Sequence, residues 1–290
     1  MLAMTEKGCE MKQFKSFLVV LLLVAWAVPA RADVSSERRF LICQTGSVTT
    51  ADDAKPYIDG FGKYLAKKLG WGTDTYEVRF ETVNCLKTLE TWKPAYATIP
   101  LGDFLAAETR LGLKPLVLAK VGGKITTRYR LLVKKGTYPS LDALKGKILT
   151  GNMVGDTAFL SRVIFKGALD AAAHFVLKQK KRPLKAIRKV SRGKADAVLV
   201  DALQFDSLQA LAVFQKLEVI FTSEPIPNLG LVHVEGAAKG TDVAVFKDAL
   251  IAMCRDPEGG EICKTFSLEG FIDAKAGALQ GVRTLYGTGR

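Results

Sequence analysis

The sequence predicts an α/β protein of two lobes, each a mainly parallel sheet flanked by helices, with two strands crossing between them. Three observations predict it. Apolar segments of strand length alternate with segments of helical period along most of the chain. The alternation runs through two successive stretches, as expected of two βαβ-type units. Segments near 127–133 and 217–234 are strand-like and placed to pass from one unit to the other.

The elements follow in order. Arg39–Cys43 is a short apolar strand. A helix from Asp52 to Leu69 puts Tyr57, Phe61, Tyr64, Leu65 and Leu69 on one face and lysines opposite, and Gly70 ends it. Tyr76–Val83 alternates as a strand, Asn84–Thr91 is a short helix, and Ala95–Ile99 is a third strand leading into a helix over Leu101–Leu111. Leu116–Val121 and Thr127–Val133 are further strands. In the second unit, a helical turn at Leu141–Lys145 stops at Gly146 and feeds a strand at Ile148–Thr150. Helices are expected over Asp156–Gly167, Pro183–Gly193 and Ala202–Val213, with a buried strand at Ala195–Val200. Strands at Leu217–Phe221 and Leu229–Val234 flank a proline-rich turn, and helices near Asp242–Cys254 and Glu258–Thr265 close the chain. The lobes are expected to take 33–126, 127–221 and, on the return, 222–290.

Residues 1–32 read as a cleavable export signal. Lys12 and Lys15 precede an apolar run from Phe17 to Val28, and Ala30-Arg31-Ala32 supplies the small-x-small cleavage pattern. A dozen apolar residues are short for a membrane span. Glu6 and Glu10 are unlike the start of such a signal, so Met11 is the expected true start. The mature chain would begin at Asp33 and be exported to a periplasm. Asp33 is not the cysteine that a lipid-anchored protein needs there, so no anchor is expected.

Four basic and two acidic residues leave with the signal, so the formal net charge of +13 becomes +11. That excess favours anionic partners. It does not indicate nucleic acid: the lysines are scattered, and no zinc-finger or aromatic RNA-binding signature accompanies them. The one dense run, Lys178 to Arg182, reads as a surface loop or helix end before Pro183.

Cys43, Cys85, Cys254 and Cys263 remain in the mature chain, an even number in an oxidising compartment. Of three possible pairings, Cys43–Cys85 and Cys254–Cys263 are favoured: the first joins the ends of two strands that can be neighbours, the second spans a short helical connection. No metal site is expected, since neither CxxC nor His-x-His spacing is present.

Five segments resemble the phosphate/phosphite/phosphonate-binding periplasmic proteins of ABC transporters: Asp53 to Leu65, Ser140 to Lys147, Gly193 to Asp201, Leu217 to Asn228, and Ala249 to Gly259. The resemblance implies the type II periplasmic binding protein fold, a ligand between the lobes, and hinge closure that presents the protein to an inner-membrane ABC permease. It implies a small anionic or zwitterionic ligand, such as a phosphonate or another oxyanion, and no cofactor. A monomer is expected. The alternative is an envelope sensor or scaffold on the same fold. One departure bears on the ligand. Phosphonate binders of the family carry a Ser-Thr-Ser-Gly run at the start of the first long helix of the second lobe. Here Gly151-Asn152-Met153-Val154-Gly155-Asp156-Thr157 stands there, with one hydroxyl and one carboxylate.

The candidate ligand-binding residues sit at strand ends and helix starts. Thr45, Gly46 and Ser47 follow the first strand, and Pro100, Leu101 and Gly102 follow the third. Both turns can offer backbone N–H groups to an anion or be ordinary βα turns. Asn152, Asp156 and Thr157 open the second-lobe helix, where Asp156 is also a plausible N-cap. At the first crossing, Arg128 and Arg130 share one face and Tyr129 takes the other. Arg128 is a candidate for bidentate grip on an oxyanion and Tyr129 for a cleft wall. Asp201, after the buried strand, is a candidate for an ammonium or hydroxyl and equally for a cap. Pro225 and Pro227 are expected to shape the return hinge. No catalysis is expected: the only histidines, His174 and His233, fall in no triad or metal spacing, and no nucleophile or nucleotide motif is present.

Overall fold

The computed structural model describes residues 34–44, 51–72 and 74–287. Residues 1–32, read above as an export signal, and Thr45, Gly46 and Ser47 lie outside the described residues. The strands are β1 (Arg39–Cys43), β2 (Glu77–Glu81), β3 (Tyr96–Thr98), β4 (Leu113–Lys120), β5 (Thr126–Thr127), β6 (Arg130–Lys134), β7 (Ile148–Gly151), β8 (Val176–Gln179), β9 (Ala197–Val200), β10 (Leu217–Thr222), β11 (Ile226–Pro227), β12 (Leu229–Val234) and β13 (Gly270–Asp273).

Two sheets form two lobes. The first has six strands in the order β13-β4-β12-β3-β1-β2, the second five in the order β10-β6-β9-β7-β8. Each is mixed. Pairing is parallel within β2-β1-β3 and β9-β7-β8 and antiparallel elsewhere. The expectation of mainly parallel sheets is thus refined. The antiparallel half of each sheet contains the strands that flank the crossings, where the chain leaves one lobe and comes back.

Alternation within strands decides which face each residue supports. β1 buries Phe40 to Cys43 in succession. Phe40 and Ile42 join one core with Phe61, Tyr64 and Leu65 of the helix Ala51–Leu69 and with Phe246 and Leu250 of the helix Gly240–Met253. Leu41 and Cys43 face another, which also holds Phe104, Tyr129, Phe159, Val282 and Tyr286. A sheet covered on both faces reads as a continuous apolar run, as β1 does. The ring of Tyr96 stacks on Phe246 at 3.7 Å between centroids. Tyr57, grouped with the core face by its spacing, is instead half exposed and packs edge-on against Phe266.

Elements that the sequence reading did not anticipate are the turn of helix Ala171–His174, edge strand β8, β13, and the final helix Gln280–Gly287. The helix expected over Asp156–Gly167 is one α-turn, Thr157–Phe159, running into a π-helix, Leu160–Ile164. The basic run begins inside β8 and not in a loop. Both expected disulfides form, Cys43–Cys85 and Cys254–Cys263, with Cα separations of 5.8 and 5.5 Å. No helix among the described residues is long and apolar enough to cross a membrane.

The crossings are β5 and β11, paired antiparallel with Ile226 opposite Thr127 and Pro227 opposite Thr126. Ser223 braces them. Its N–H donates to the Tyr129 carbonyl (2.9 Å), and its hydroxyl accepts from the Tyr129 N–H (2.9 Å). Ser223 is almost fully buried, and these bonds satisfy its polar atoms.

Candidate ligand-binding site

Most of the described candidate residues meet where the crossings adjoin helix starts from both lobes. The first-lobe helix Leu101–Leu111 begins at Pro100, whose φ of −54° suits the position and whose side chain offers no cap. Its first N–H groups therefore have no side-chain acceptor at the cap. Gly102 makes close approach possible. A Cβ there would fall 2.1 Å from Asp156 Oδ2 and 3.1 Å from Phe159 Cβ, so the second lobe presses against its backbone.

On the second-lobe side, Asp156 caps Thr157–Phe159, with Oδ1 accepting from the Phe159 N–H at 2.9 Å. Burial pushes its carboxyl above the ordinary range, while the N–H groups of Phe159 and Ala158 and the charge of Arg162 pull the other way. Asp201 likewise caps Ala202–Gln209 by accepting from the Gln204 N–H at 2.8 Å. Its carboxyl is also raised, first by burial and then by Asp206, against the pull of N–H groups of Gln204 and Leu203. Each aspartate is committed to a helix start, so the cap reading and the site reading fall on the same residues.

Tyr129 is 6% exposed and meets Phe159 edge-on at 6.1 Å. Burial raises its phenol strongly, with Asp201 adding to the effect, so it stays a neutral donor. Asn152 Oδ1 accepts from Gln204 Nε2 at 3.2 Å, and the Ala202 N–H reaches the Thr127 hydroxyl at 3.4 Å. Two candidates are exposed to solvent. Arg128 is exposed and donates one guanidinium N–H to the Ser223 carbonyl at 2.7 Å, so it braces the crossing. Thr157 is exposed.

Gln204 was missed by sequence reasoning, although Asp201-x-x-Gln204 has the spacing of a capping box. Its Oε1 is buried without a partner, as is Nη1 of Arg130, whose guanidinium lies 4.1 Å over Phe205. Such atoms cost free energy unless something meets them, about 1 to 3 kcal/mol each.

A cavity of about 390 Å³ opens at the C-terminal ends of β1 and β3. Gln44, Thr98 and Pro100 line one part, and Phe61, Leu231, Met253 and Phe271 supply a carbon wall. Cys43, Cys85 and Asp103 bring their ligating atoms within 4.8 Å of one another nearby, but both sulfurs are joined in the disulfide.

Residues 49–278 match the profile of the phosphonate periplasmic substrate-binding proteins of ABC transporters. The chain belongs to that family. No curated protein sequence matches it. Its fold is similar to that of a Xanthomonas citri protein bound to ATP, with a TM-score of 0.68 and 13% identity over 86% of this chain and 96% of that one. It is also similar to a binding component of an ABC phosphonate transporter from Pseudomonas aeruginosa, with a TM-score of 0.66 and 14% identity over 86% and 85% of the two chains. PhnD1 of Prochlorococcus marinus in complex with methylphosphonate gives 0.64 and 13% over 86% and 97%. The protein is thus an ABC-transporter substrate-binding protein by family, with the two-lobed type II fold.

Proposed function

We propose that the protein captures a small phosphonate-class oxyanion between its lobes and carries it, chemically unchanged, to an inner-membrane ABC permease. It works as an exported monomer in the periplasm, its signal removed near Ala32. The observation that carries the ligand class is the start of Leu101–Leu111. This helix has no side-chain cap at Pro100, its dipole and the Leu101 and Gly102 N–H groups favour a negative charge, and Asp156 Oδ2 of the second lobe already lies against Gly102. Family membership supports the same class.

The ligand would enter between Pro100, Leu101 and Gly102 on one side and Asn152, Asp156, Thr157 and Asp201 on the other, with Tyr129 as a wall. Thr45, Gly46 and Ser47 belong to the same proposal by their place after β1. The carbon-lined cavity beside Pro100 suits an alkyl substituent. Asp156 opposes a second negative charge, so the proposed ligand is an organophosphonate of low charge or one carrying its own cation.

Calorimetric titration of the purified protein tests this. Methylphosphonate, aminoethylphosphonate, phosphite and phosphate are compared with arginine and glutamate. Stoichiometric heat with at least one phosphorus oxyanion and none with the amino acids is expected. Heat with an amino acid alone, or with none of the six, overturns the ligand class.

A further inference from the structure

The charge of the chain is concentrated far more tightly than its composition suggests. Between Ala171 and Ala195 there are nine lysines and arginines and no acidic residue. They occupy edge strand β8, the loop after it, the helix Pro183–Ser191 and the turn that follows. That helix buries Ala186, Ile187 and Val190 in the second lobe, which turns its cations outward. Arg182, Lys185, Arg188, Lys189, Arg192 and Lys194 line one open groove of about 510 Å³. None of the nine forms an ion pair among the described residues, although carboxylates partner lysines and arginines elsewhere on the surface.

We propose that this face is a docking surface for anionic phospholipid headgroups, holding the protein against a membrane. Lys178 on β8 has a second use, since a charged edge discourages strand pairing with another sheet. That does not account for the cations of the helix and the turn. Six of the nine are lysines, which protein–protein interfaces deplete and which polybasic membrane-binding surfaces use. The groups come from four successive segments with no acid among them to fix a register, which suits a partner whose charge is spread over a plane. Leu184 stands 37% exposed within the groove, an apolar group that can settle among headgroups. The proposal does not depend on which ligand the cleft holds. For a protein that delivers to a permease, it shortens the search from a volume to a surface.

Co-sedimentation with vesicles of phosphatidylcholine and phosphatidylglycerol in equal parts tests it, with pure phosphatidylcholine as reference. The protein should bind the mixed vesicles at low salt and leave them as salt rises. The combined variant Lys185→Glu, Arg188→Glu and Arg192→Glu should lose at least about a hundredfold in partition, given the attraction each basic residue contributes near an anionic surface. A control variant, Lys63→Glu, Lys87→Glu and Lys135→Glu, makes the same change in net charge at exposed sites elsewhere and should lose far less. Equal losses in the two variants would show that only net charge matters and would overturn the proposal. So would equal binding to both vesicle types, or no vesicle binding at all, the outcome expected if an acidic protein were the partner. Ligand titrations on both variants should match the unaltered protein, which separates failure here from failure of the cleft.

Discussion

The two lobes secure their helices by different means. Both disulfides lie on first-lobe elements. One ties the end of β1 to the helix Cys85–Trp92, and the other ties the end of Gly240–Met253 to Pro257–Thr265. Several helix starts there have no side-chain cap: the side chains of Asn84, Pro100 and Lys239 accept no cap hydrogen bond, and Asp256 is the exception. The second lobe has no cysteine, and Asp156, Asp170 and Asp201 each close a helix start with a carboxylate, Arg182 before Pro183–Ser191 being the exception. The difference bears on binding. A capped helix start has already given N–H groups to its own side chain, whereas an uncapped one leaves them to water or a ligand. In the proposed site, an incoming oxyanion would therefore be received mainly by the first lobe, facing the Asp156 carboxylate of the second.

The largest effect tests the covalent side of this contrast. Cys43–Cys85 closes a separation of 42 residues and Cys254–Cys263 one of 9. Loop-closure entropy assigns them about 4 and about 2.5 kcal/mol. Denaturant unfolding of Cys43→Ala/Cys85→Ala and of Cys254→Ala/Cys263→Ala should show losses in that order. Hydrogen exchange should show the loosening in β1, β2 and their helices, with β7 and β9 little changed. Comparable losses in the two variants, or loosening that starts in the second sheet, would break the contrast.

Next comes the Asp156 carboxylate. Asparagine caps a helix about as well as aspartate, so Asp156→Asn should keep the turn and remove the charge. Methylphosphonate affinity should rise at least about tenfold, or about 1.4 kcal/mol. The pH dependence has a definite sign. Burial holds the Asp156 carboxyl above its ordinary value, so the folded protein binds more protons there than the unfolded chain. Its charge costs stability above the raised pKa, and that cost is relieved as pH falls from there toward the unfolded value. Affinity of the unaltered protein should climb over the same window, while the asparagine variant stays flatter. An unchanged affinity in Asp156→Asn would mean that Asp156 lies outside the ligand's reach.

How much of this was legible in the sequence follows from which forces act locally. Arg39–Cys43, Leu101–Leu111 and Leu229–Val234 were bounded correctly because apolar period, proline and glycine mark them within a few residues. The crossing segment Thr127–Val133 broke in two because Arg128 and Tyr129 turn to meet Ser223, nearly a hundred residues away. Edge strand β8 was hidden by its lysines, since its burial pattern is nearly all exposed and periodicity has nothing to report. Asp156 and Asp201 could be singled out as helix starts from their neighbours, but Gly102 against Asp156 is a contact between lobes. No local pattern encodes it.

The final helix, Gln280–Gly287, was missed for the same reason, and it supplies the smallest test. It is held by both lobes at once. Arg283 forks onto Glu108 of the first-lobe helix, Nε to Oε2 at 2.9 Å and Nη2 to Oε1 at 2.5 Å, while Arg162 of the second lobe donates to the Tyr286 carbonyl at 3.0 Å. The Arg283–Glu108 pair is only partly exposed, 28% and 23% by side chain, and its bidentate geometry puts it at the upper end of surface pairs, about 1 kcal/mol. Arg283→Ala should lose about that much and speed exchange in 280–287. Arg283→Lys should recover little, because an ammonium cannot make the two parallel bonds. If both variants match the unaltered protein, burial of Val282 and Tyr286 and the Arg162 bond to the Tyr286 carbonyl anchor the helix without the ion pair. The ion pair would then add nothing to the hold on the final helix, and the contrast between the lobes would rest on caps and disulfides alone.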